Sequence, residues 1–306
     1  MKSVPVLVLV MAAVVCPCGR AAGFDAEAIS SSEYATMRKT LCPQPASETP
    51  ANDNLPLPVE PVRVFDNLYF VGNSSTSAWA LTTNAGIIML EAMSVGNVKD
   101  TVVDGLQKLG LNPADIKYVI VSHGHNDHFG GARYLQQTYG AHVVMSTADW
   151  EHMRTWPQRG TPAPFPDQDI AVNDGDKITL GDTTVRMVVT PGHTPGTLSP
   201  VFPVRDHGTL HKVGYWGGAA FSFLPVEGLE TYLASARRYV DIDPDIDVEL
   251  SNHAFADGSL IKMTALAGRK QGESNPFVTG NAGFKRWMNT IIDCAVEGLT
   301  QKKAVP

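Results

Sequence analysis

The stretch Val121–Gly131, VSHGHNDHFGG, concentrates metal-ligating side chains in one short loop. Three histidines and one aspartate fall within six residues, namely His123, His125, Asp127 and His128. The stretch follows a continuous apolar run, typical of a strand buried on both faces, and precedes a segment with helical periodicity. Such a loop can direct the first two histidines to one point and Asp127 with His128 to a neighbouring point. Because imidazole and carboxylate are suitable ligands for Zn²⁺ and similar ions, the stretch predicts a metal site.

Two more of the chain's nine histidines occupy comparable positions. His193 lies just beyond an apolar run, in the turn Thr190–Gly196 (TPGHTPG), whose proline and glycine residues fix the backbone. His253 directly follows the segment Val248–Asn252 (VELSN). Since all of these side chains follow predicted strands, and strand ends can meet at one edge of a sheet, we expect them to converge. The other four histidines lack this context and are interpreted as structural or solvated: His142, His152, His207 and His211.

The rest of the chain predicts a layered α/β fold. Strand signals occur at Val64–Val71, Ala78–Thr82, Gly86–Leu90, Tyr118–Val121, Ala141–Met145, Leu198–Val204 and Thr209–Trp216, with a hairpin over Ile178–Thr190 that turns at Gly181–Asp182. Helical periodicity occurs at Asn97–Leu109, Gly131–Tyr139 and Phe284–Leu299. Strands and helices occur in both halves, so we expect helices that cover a core of paired sheets.

The first 23 residues have the features of a secretory signal peptide. Lys2 precedes the apolar run Val4–Val15, and small residues follow at Ala21–Gly23. The run is shorter than the roughly 20 residues that span a bilayer, so a membrane anchor or buried strand is the weaker alternative. We expect export to a bacterial periplasm, with cleavage near Gly23. Residues 24–306 are then predicted to form one domain with an N-terminal extension at 24–62, because a single site draws on both halves.

Charge and cysteine content restrict the partners and the compartment. The chain has 24 Lys and Arg against 31 Asp and Glu, a formal net charge of −7, and cleavage would change this to −9 by removing Lys2 and Arg20. An acidic surface without a cationic cluster argues against nucleic acid and gives no polybasic membrane signal, so we expect a small-molecule substrate. The mature chain keeps Cys42 and Cys294, which either pair in an oxidising compartment or remain two separate thiols.

The histidine motifs together resemble those of the metallo-β-lactamase superfamily. The resemblance rests on HGHNDH at 123–128, TPGHTPG at 190–196 and SNH at 251–253, and it extends from about Val64 to the C-terminus. It implies a four-layer αββα sandwich with two Zn²⁺ ions at one edge. The implied ligands are His123, His125 and His193 for one ion and Asp127, His128 and His253 for the other.

An absent ligand makes the chain similar to one subclass in particular. Superfamily hydrolases that resemble glyoxalase II, the lactonases and the phosphodiesterases carry an aspartate that bridges the metals, and B1 and B2 β-lactamases carry a cysteine. The matching stretch here, Trp216–Phe221 (WGGAAF), offers neither a carboxylate nor a thiol. The chain therefore resembles subclass B3, although B3 enzymes commonly hold the substrate carboxylate with a serine pair. This chain has only Ser222, which is either a substrate-binding residue or an ordinary turn serine.

The resemblance implies a zinc-dependent β-lactamase that acts on a β-lactam antibiotic. A hydroxide held by two zinc ions would attack the lactam carbonyl, with Asp127 as the catalytic residue that orients it and passes on a proton. The proline-rich loop Trp156–Asp167 and the rings of Phe221 and Phe223 are candidate pocket walls. Two other hypotheses stand beside this one. The first is a dinuclear zinc hydrolase of another ester, lactone or phosphodiester with weak or no β-lactamase activity, and the second is a non-enzymatic metal-binding protein.

Overall fold

Two β-sheets that pack face to face form the centre of the protein. The computed structural model describes residues 35, 37–43, 56–158 and 160–304. The predicted signal peptide, residues 1–23, lies outside the described residues, as does most of the predicted extension. Within the described part of the chain, no helix is both long enough and apolar enough to cross a membrane.

The first sheet has seven strands in chain order: β1 (Val62–Phe65), β2 (Leu68–Phe70), β3 (Trp79–Thr83), β4 (Gly86–Leu90), β5 (Ile116–Ile120), β6 (His142–Ser146) and β7 (Ile170–Val172). Neighbours from β1 to β4 are antiparallel, and neighbours from β4 to β7 are parallel. The prediction of one strand at Val64–Val71 is wrong, because the chain turns at Asp66–Asn67. The side chains of this turn accept hydrogen bonds from the backbone N–H groups of Arg205 and Gly208, which hold it against the other sheet.

The second sheet has five strands: β8 (Lys177–Leu180), β9 (Thr183–Arg186), β10 (Val201–Asp206), β11 (Thr209–Trp216) and β12 (Val248–Ser251). They lie in the order β12-β11-β10-β9-β8, with β11 and β12 parallel and the other neighbours antiparallel. The predicted turn at Gly181–Asp182 is confirmed, and Gly181 adopts the φ of +56° that a tight hairpin favours. The predicted hairpin is too long, because β9 ends at Arg186 and Thr190 lies in the following loop.

Helices cover the outer face of each sheet. The α-helices in the described residues from 56 onward are α1 (Asp104–Lys108, preceded by a π-helical segment at Val98–Val103), α2 (Asn126–Phe129), α3 (Ala132–Tyr139), α4 (Thr147–Thr155), α5 (Val226–Tyr239), α6 (Ser259–Ala267) and α7 (Gly280–Ala304). Of these, α6 packs through Met263 into the core between the sheets. On the first sheet, α1, α3 and α4 pack through Leu106, Leu135 and Trp150. On the second, α5 and α7 pack through Tyr232 and Trp287. The predicted αββα sandwich is therefore confirmed, whereas α4, α5 and α6 were not predicted.

A cross-link joins the N-terminal part of the described chain to the last helix. Cys42 and Cys294 form a disulfide, so of the two possibilities left open by the sequence the structure has the paired one. The helical residues 37–41 lie beside it, and Met37 and Leu41 pack into the same core as α7. Residues 37–43 are thus held against the layer that covers the second sheet.

Candidate metal centre

The histidine-rich loop follows β5, an inner strand of the parallel part of the first sheet. β5 lies between β4 and β6, and α2 begins directly after His125. The loop runs close to α4, because a Cβ atom at Gly124 would lie 3.0 Å from backbone atoms of Met153. His193 lies in the loop between β9 and β10, and His253 follows β12. Loops from both sheets therefore meet at one edge of the sandwich, as the strand-end pattern predicts.

His123, His125 and His193 form one group of side chains that could hold a metal ion. Nε2 of His193 lies 3.0 Å from Nε2 of His123 and 3.1 Å from Nδ1 of His125. Zn–N bonds are about 2.0–2.1 Å long in tetrahedral sites, which places two nitrogen ligands of one ion about 3.3 Å apart. The nitrogens of this first group are therefore spaced almost as ligands of a single ion would be.

Hydrogen bonds on the outer side of two rings determine which nitrogen carries hydrogen. Nδ1 of His123 donates to the carbonyl oxygen of Gly217 over 2.9 Å, and Nδ1 of His193 donates to the carbonyl oxygen of Ala220. In a neutral imidazole, the other nitrogen is then an acceptor with a lone pair. The two Nε2 lone pairs face each other inside the first group, where two acceptors cannot form a hydrogen bond.

The histidines of the first group are held in the neutral form. Burial, reinforced by neighbouring imidazoles, lowers the pKa of His123 well below its ordinary value. The pKa of His193 is lowered for the same reasons. Protonation therefore does not relieve the contact between the facing lone pairs, whereas a cation between them would. The donor set fits zinc, for which neutral imidazole is a common ligand.

Asp127, His128 and His253 form a second group of the same kind. Nε2 of His128 lies 3.2 Å from Nε2 of His253 and 3.3 Å from a carboxylate oxygen of Asp127. Burial favours neutral His128, but the carboxylates of Asp127 and Glu91 outweigh it and raise its pKa to about 10. Burial also favours neutral Asp127, yet His128 outweighs it and holds the pKa of that carboxyl far below its ordinary value. The second group thus combines an ionised carboxylate with two histidine rings, and a zinc ion bound there would take the place of the Nε2 proton of His128.

Glu91 is a site residue outside the sequence motifs that predict the ligands. Its side chain is fully buried just beyond β4. Oε2 accepts a hydrogen bond from Nδ1 of His128 over 3.2 Å, and Oε1 accepts one from the hydroxyl of Tyr215 over 2.9 Å. A carboxylate behind a histidine orients the ring and raises its basicity toward a metal. The sequence does contain a signal, since Glu91 is a single acidic residue directly after an apolar strand. A charged residue buried at such a position needs a buried partner.

The segment Trp216–Phe221 supplies backbone groups to the site. Its carbonyls at Gly217 and Ala220 accept hydrogen bonds from ligand histidines, as described above. Gly218 packs against His193, since a Cβ atom at Gly218 would lie 2.8 Å from Cβ of His193. A bridging side chain at Gly218 would therefore displace a histidine of the first group. The close packing around Gly218 therefore agrees with the absence of an acidic ligand in this segment.

Both groups lie in an open cavity of about 660 Å³, a size common for small-molecule sites. Trp156, Phe223 and Phe255 contribute aromatic rings to its lining, and Ser222 contributes a hydroxyl. The ring of Trp156 lies 5.5 Å from the ring of His125, and that of Phe223 lies 6.1 Å from it. Two aromatic side chains therefore lie close to the first group.

One candidate pocket wall is wrong. Phe221 is buried in the core between the second sheet and its helices, and its ring lies 5.2 Å from that of Tyr232. Its neighbour Phe223 does line the cavity, as do Trp156 and Thr161 from the predicted proline-rich loop. The chain turns at Ser222–Phe223, where the N–H of Leu224 donates to the carbonyl of Phe221, so the ring of Phe221 stays in the core while that of Phe223 reaches the cavity.

The remaining four histidines lie outside the two groups. Nδ1 of His142 pairs with Asp169 at 2.9 Å, and Nδ1 of His211 pairs with Asp247 at 2.6 Å. His207 lies in the turn between β10 and β11. His152 packs against Trp156, with 5.0 Å between the ring centroids. These contacts agree with the structural interpretation, and His152 supports one wall of the cavity.

Residues 79–207 match the family model described as "Metallo-beta-lactamase superfamily". The fold is similar to that of BJP-1, a subclass B3 metallo-beta-lactamase of Bradyrhizobium japonicum, with 26% identity, a TM-score of 0.71, and coverage of 81% of this chain and 96% of that one. It is also similar to MEM-A1, a subclass B3 metallo-beta-lactamase from a soil metagenome library, with 25% identity, a TM-score of 0.70, and coverage of 82% and 99%.

A curated relative points to another member of the same superfamily. The hydroxyacylglutathione hydrolase of Acidiphilium cryptum (strain JF-5) is 30% identical over 163 residues, which are 50% of this chain and 60% of that hydrolase. The chain thus matches less than two thirds of the length of this relative.

The two-sheet fold, the matched domain and the paired ligand groups define the class of protein. Residues 79–207 form a metallo-β-lactamase superfamily domain, and the chain has the metallo-β-lactamase fold with two groups of residues that could hold metal ions. Within this superfamily, the solved structures described above are subclass B3 enzymes, whereas the curated relative is named a hydroxyacylglutathione hydrolase.

Proposed function

We propose that the protein is a B3-like, zinc-dependent β-lactamase that opens the ring of a β-lactam antibiotic. The observation that carries this proposal is the pair of three-residue groups together with a segment, Trp216–Phe221, that contributes only backbone carbonyls. Similarity to B3 structures over 81% and 82% of the chain supports it.

Each group would hold one zinc ion. Zinc bound there supplies a Lewis acid and lowers the pKa of water to about 7, which is the chemistry needed to attack an amide carbonyl. The protein prepares for this by fixing the ring orientations. Carbonyls of Gly217 and Ala220 hold two histidines of the first group, and Glu91 holds His128 of the second. The ligand atoms therefore point inward through contacts that involve no metal.

Asp127 is the proposed catalytic residue as well as a ligand. Its side chain is 47% exposed and lines the cavity, while His128 keeps its carboxyl ionised. An ionised carboxylate in this position can accept a hydrogen bond from the attacking water and take its proton. The proton then passes to the amide nitrogen as the C–N bond breaks.

The cavity lining would hold the substrate. Ser222 offers an exposed hydroxyl for the substrate carboxylate, and we propose it as the substrate-binding residue. Trp156 and Phe223 offer apolar area on the side of the first group. The substituents of the antibiotic would pack there, with the reacting amide over the metal groups.

A second candidate is hydrolysis of another ester, lactone, thioester or phosphodiester. Identity of 30% to a hydroxyacylglutathione hydrolase favours it. The contrary observation is the packing of Gly218 against His193, which leaves no room for a bridging aspartate at that position.

One experiment separates these candidates. Zinc-loaded protein is offered a chromogenic cephalosporin, a hydroxyacylglutathione thioester, a lactone and a phosphodiester, each with and without chelator. Chelator-sensitive opening of the cephalosporin, at least tenfold faster than the other reactions, is the expected result. Faster turnover of another substrate supports the second candidate, and two bound zinc ions without any turnover support a non-enzymatic role.

A matched variant tests the role of Asp127. Asp127→Asn keeps an oxygen ligand but removes the proton acceptor, so we expect kcat to fall by about 10²–10⁴-fold. Retention of two zinc ions in that variant shows that the loss is catalytic. Unchanged kcat with both ions bound would contradict the assignment.

We also propose that the protein is exported to the periplasm after cleavage near Gly23. The disulfide between Cys42 and Cys294 supports this, because disulfides persist mainly in oxidising compartments. Mass spectrometry of the protein from a bacterial periplasmic fraction should find a mature N-terminus near residue 24. Retention of the full-length chain in the cytoplasm would contradict export.

A further inference from the structure

A buried carboxylate outside the cavity connects the two loops of the first group. Asp149 lies in the first turn of α4, and 1% of it is exposed. One oxygen accepts hydrogen bonds from the backbone N–H of Gly124 over 2.8 Å and from the hydroxyl of Thr194 over 2.7 Å. The other accepts a hydrogen bond from the backbone N–H of Gly196 over 2.7 Å. All three donors belong to loops that carry histidines.

The position of these donors relates Asp149 to the metal ligands. Gly124 lies between His123 and His125, and Thr194 directly follows His193. One side chain thus holds the loop of the first sheet and the loop of the second at a fixed separation. A direct hydrogen bond between these loops runs from the N–H of Leu198 to the carbonyl of Ser122.

Close packing makes this connection rigid. A Cβ atom at Gly196 would lie 2.0 Å from Oγ of Ser146, so the close approach of this residue to α4 requires a glycine. Gly124 is similarly close to Met153. Ser146 also accepts a hydrogen bond from the N–H of Asp149 over 3.1 Å, which caps the helix and fixes the carboxylate. The loops are therefore positioned by a helix that carries no ligand itself.

We propose that Asp149 is a positioning residue for the first zinc ion, because it sets the distance between His193 and the His123–His125 pair. The proposal rests on the zinc sites of the proposed function and is independent of the substrate. A carboxylate has two acceptor oxygens and can serve three donors, whereas an amide has one acceptor oxygen. In Asp149→Asn an NH2 group replaces one of the two oxygens, so the loop that carries His193 loses a hydrogen bond from either Gly196 or Thr194.

The test isolates each group in turn. His253→Ala removes a ligand of the second group, so metal titration in that background reports the first group, and His193→Ala does the reverse. We expect Asp149→Asn to weaken Co²⁺ and Zn²⁺ binding about 10–100-fold in the His253→Ala background. In the His193→Ala background we expect Asp149→Asn to leave the metal affinity of the second group unchanged. The visible absorption of Co²⁺ should shift in the first case only, as the ligand geometry changes.

The outcomes distinguish this proposal from a purely structural role and from failure of the proposed function. A lower thermal midpoint with unchanged metal affinity per folded chain would overturn the positioning role alone. Absence of metal binding in both parent backgrounds would overturn the zinc sites and this proposal with them. Equal weakening of both groups would also overturn it, because the hydrogen bonds of Asp149 go to residues directly beside ligands of the first group.

A milder matched pair removes one donor instead of the acceptor. Thr194→Val deletes the hydroxyl at constant shape, and Thr194→Ser keeps it. We expect weaker metal binding in the first group for the valine variant and recovery to near the parent affinity for the serine variant. Identical affinities for the two variants would count against the contact from Thr194 to Asp149.

Discussion

The carboxylate of Glu91 lies 3.2 Å from Nδ1 of His128, and both side chains are completely buried. Glu91 also has a φ of +73°, a left-handed conformation that residues other than glycine rarely adopt. Such a conformation persists only where surrounding contacts hold it, and it is common at functional sites. Hydrogen bonds from His128 and Tyr215 supply those contacts. The end of β4 is thus shaped to present a carboxylate behind a metal-binding histidine.

The first prediction concerns the charge of Glu91. Glu91→Gln preserves the shape and can still accept a hydrogen bond from His128, but it removes the negative charge that makes the ring more basic. We expect zinc affinity of the second group to fall about 10–100-fold while that of the first changes little. Zinc titration against a competing chelating dye measures both.

Tyr215→Phe is the matched control for this prediction. It deletes the other hydrogen bond to Glu91 and leaves the carboxylate beside His128 unchanged. The loss of zinc affinity should be smaller than for Glu91→Gln. If Glu91→Gln weakened zinc binding equally in both groups, Glu91 would support the fold in general and not His128 in particular.

The second prediction concerns metal removal. Dialysis against a chelator should remove two zinc ions per chain together with activity, and added zinc should restore both. His125→Ala deletes a ligand of the first group, and we expect it to lose most of its metal and activity. Metal analysis and cephalosporin turnover give the result, with His142→Ala as a control outside both groups. Full turnover of His125→Ala with two zinc ions bound would refute the ligand set.

The metal groups could be predicted because each ligand histidine follows a local apolar run. Glu91 and Asp149 could not, since their partners lie 37 and 45 positions away in the sequence and a single carboxylate has no periodic pattern. Their roles depend on tertiary contacts between loops. Long-range geometry, and not local sequence, therefore determines how the ligands are supported.

Like the site, the fold could be predicted from the sequence only in part. The αββα layering follows from alternating strand and helix signals, and it is confirmed. α5 was missed although Leu229, Tyr232 and Ala236 follow helical spacing. α4 is less visible in sequence, because its buried positions include the polar Asp149, which faces two loops instead of a hydrophobic core.

The third prediction concerns the aromatic wall. Trp156→Ala removes apolar area near His125, and contact areas of this kind contribute about 1–2 kcal/mol. We expect KM for a cephalosporin with an aryl side chain to rise about 5–30-fold, with a smaller change for one with a methyl group. Phe221→Leu is the control, because this buried ring lies outside the cavity lining. Phe221→Leu should lower the thermal midpoint without changing the ratio of the two KM values. A changed ratio in Phe221→Leu together with an unchanged ratio in Trp156→Ala would contradict the assignment of Trp156 to the substrate-binding wall.

The fourth prediction concerns acid stability and the pair formed by Asp206 and Arg269. Their side chains are 14–15% exposed and make two parallel hydrogen bonds of 2.8 and 2.7 Å. The bonds from Arg269 lower the pKa of Asp206, so the stabilisation is present above the unfolded value of about 3.9 and is lost as the pH falls through the lower folded pKa. Asp206→Asn should therefore reduce the free energy of unfolding by about 1–3 kcal/mol at pH 7.

Urea unfolding of the metal-free protein between pH 7 and pH 2.5 tests this dependence without a contribution from zinc release. The difference between the parent and Asp206→Asn should shrink below about pH 4, because protonation removes the same charge from the parent. Lys108→Gln is the control, since Lys108 and Glu60 form a more exposed pair at 3.4 Å. Exposed pairs contribute about 0–1 kcal/mol, so this variant should resemble the parent at every pH. A constant deficit of Asp206→Asn down to pH 2.5 would show that its effect arises from shape instead of charge.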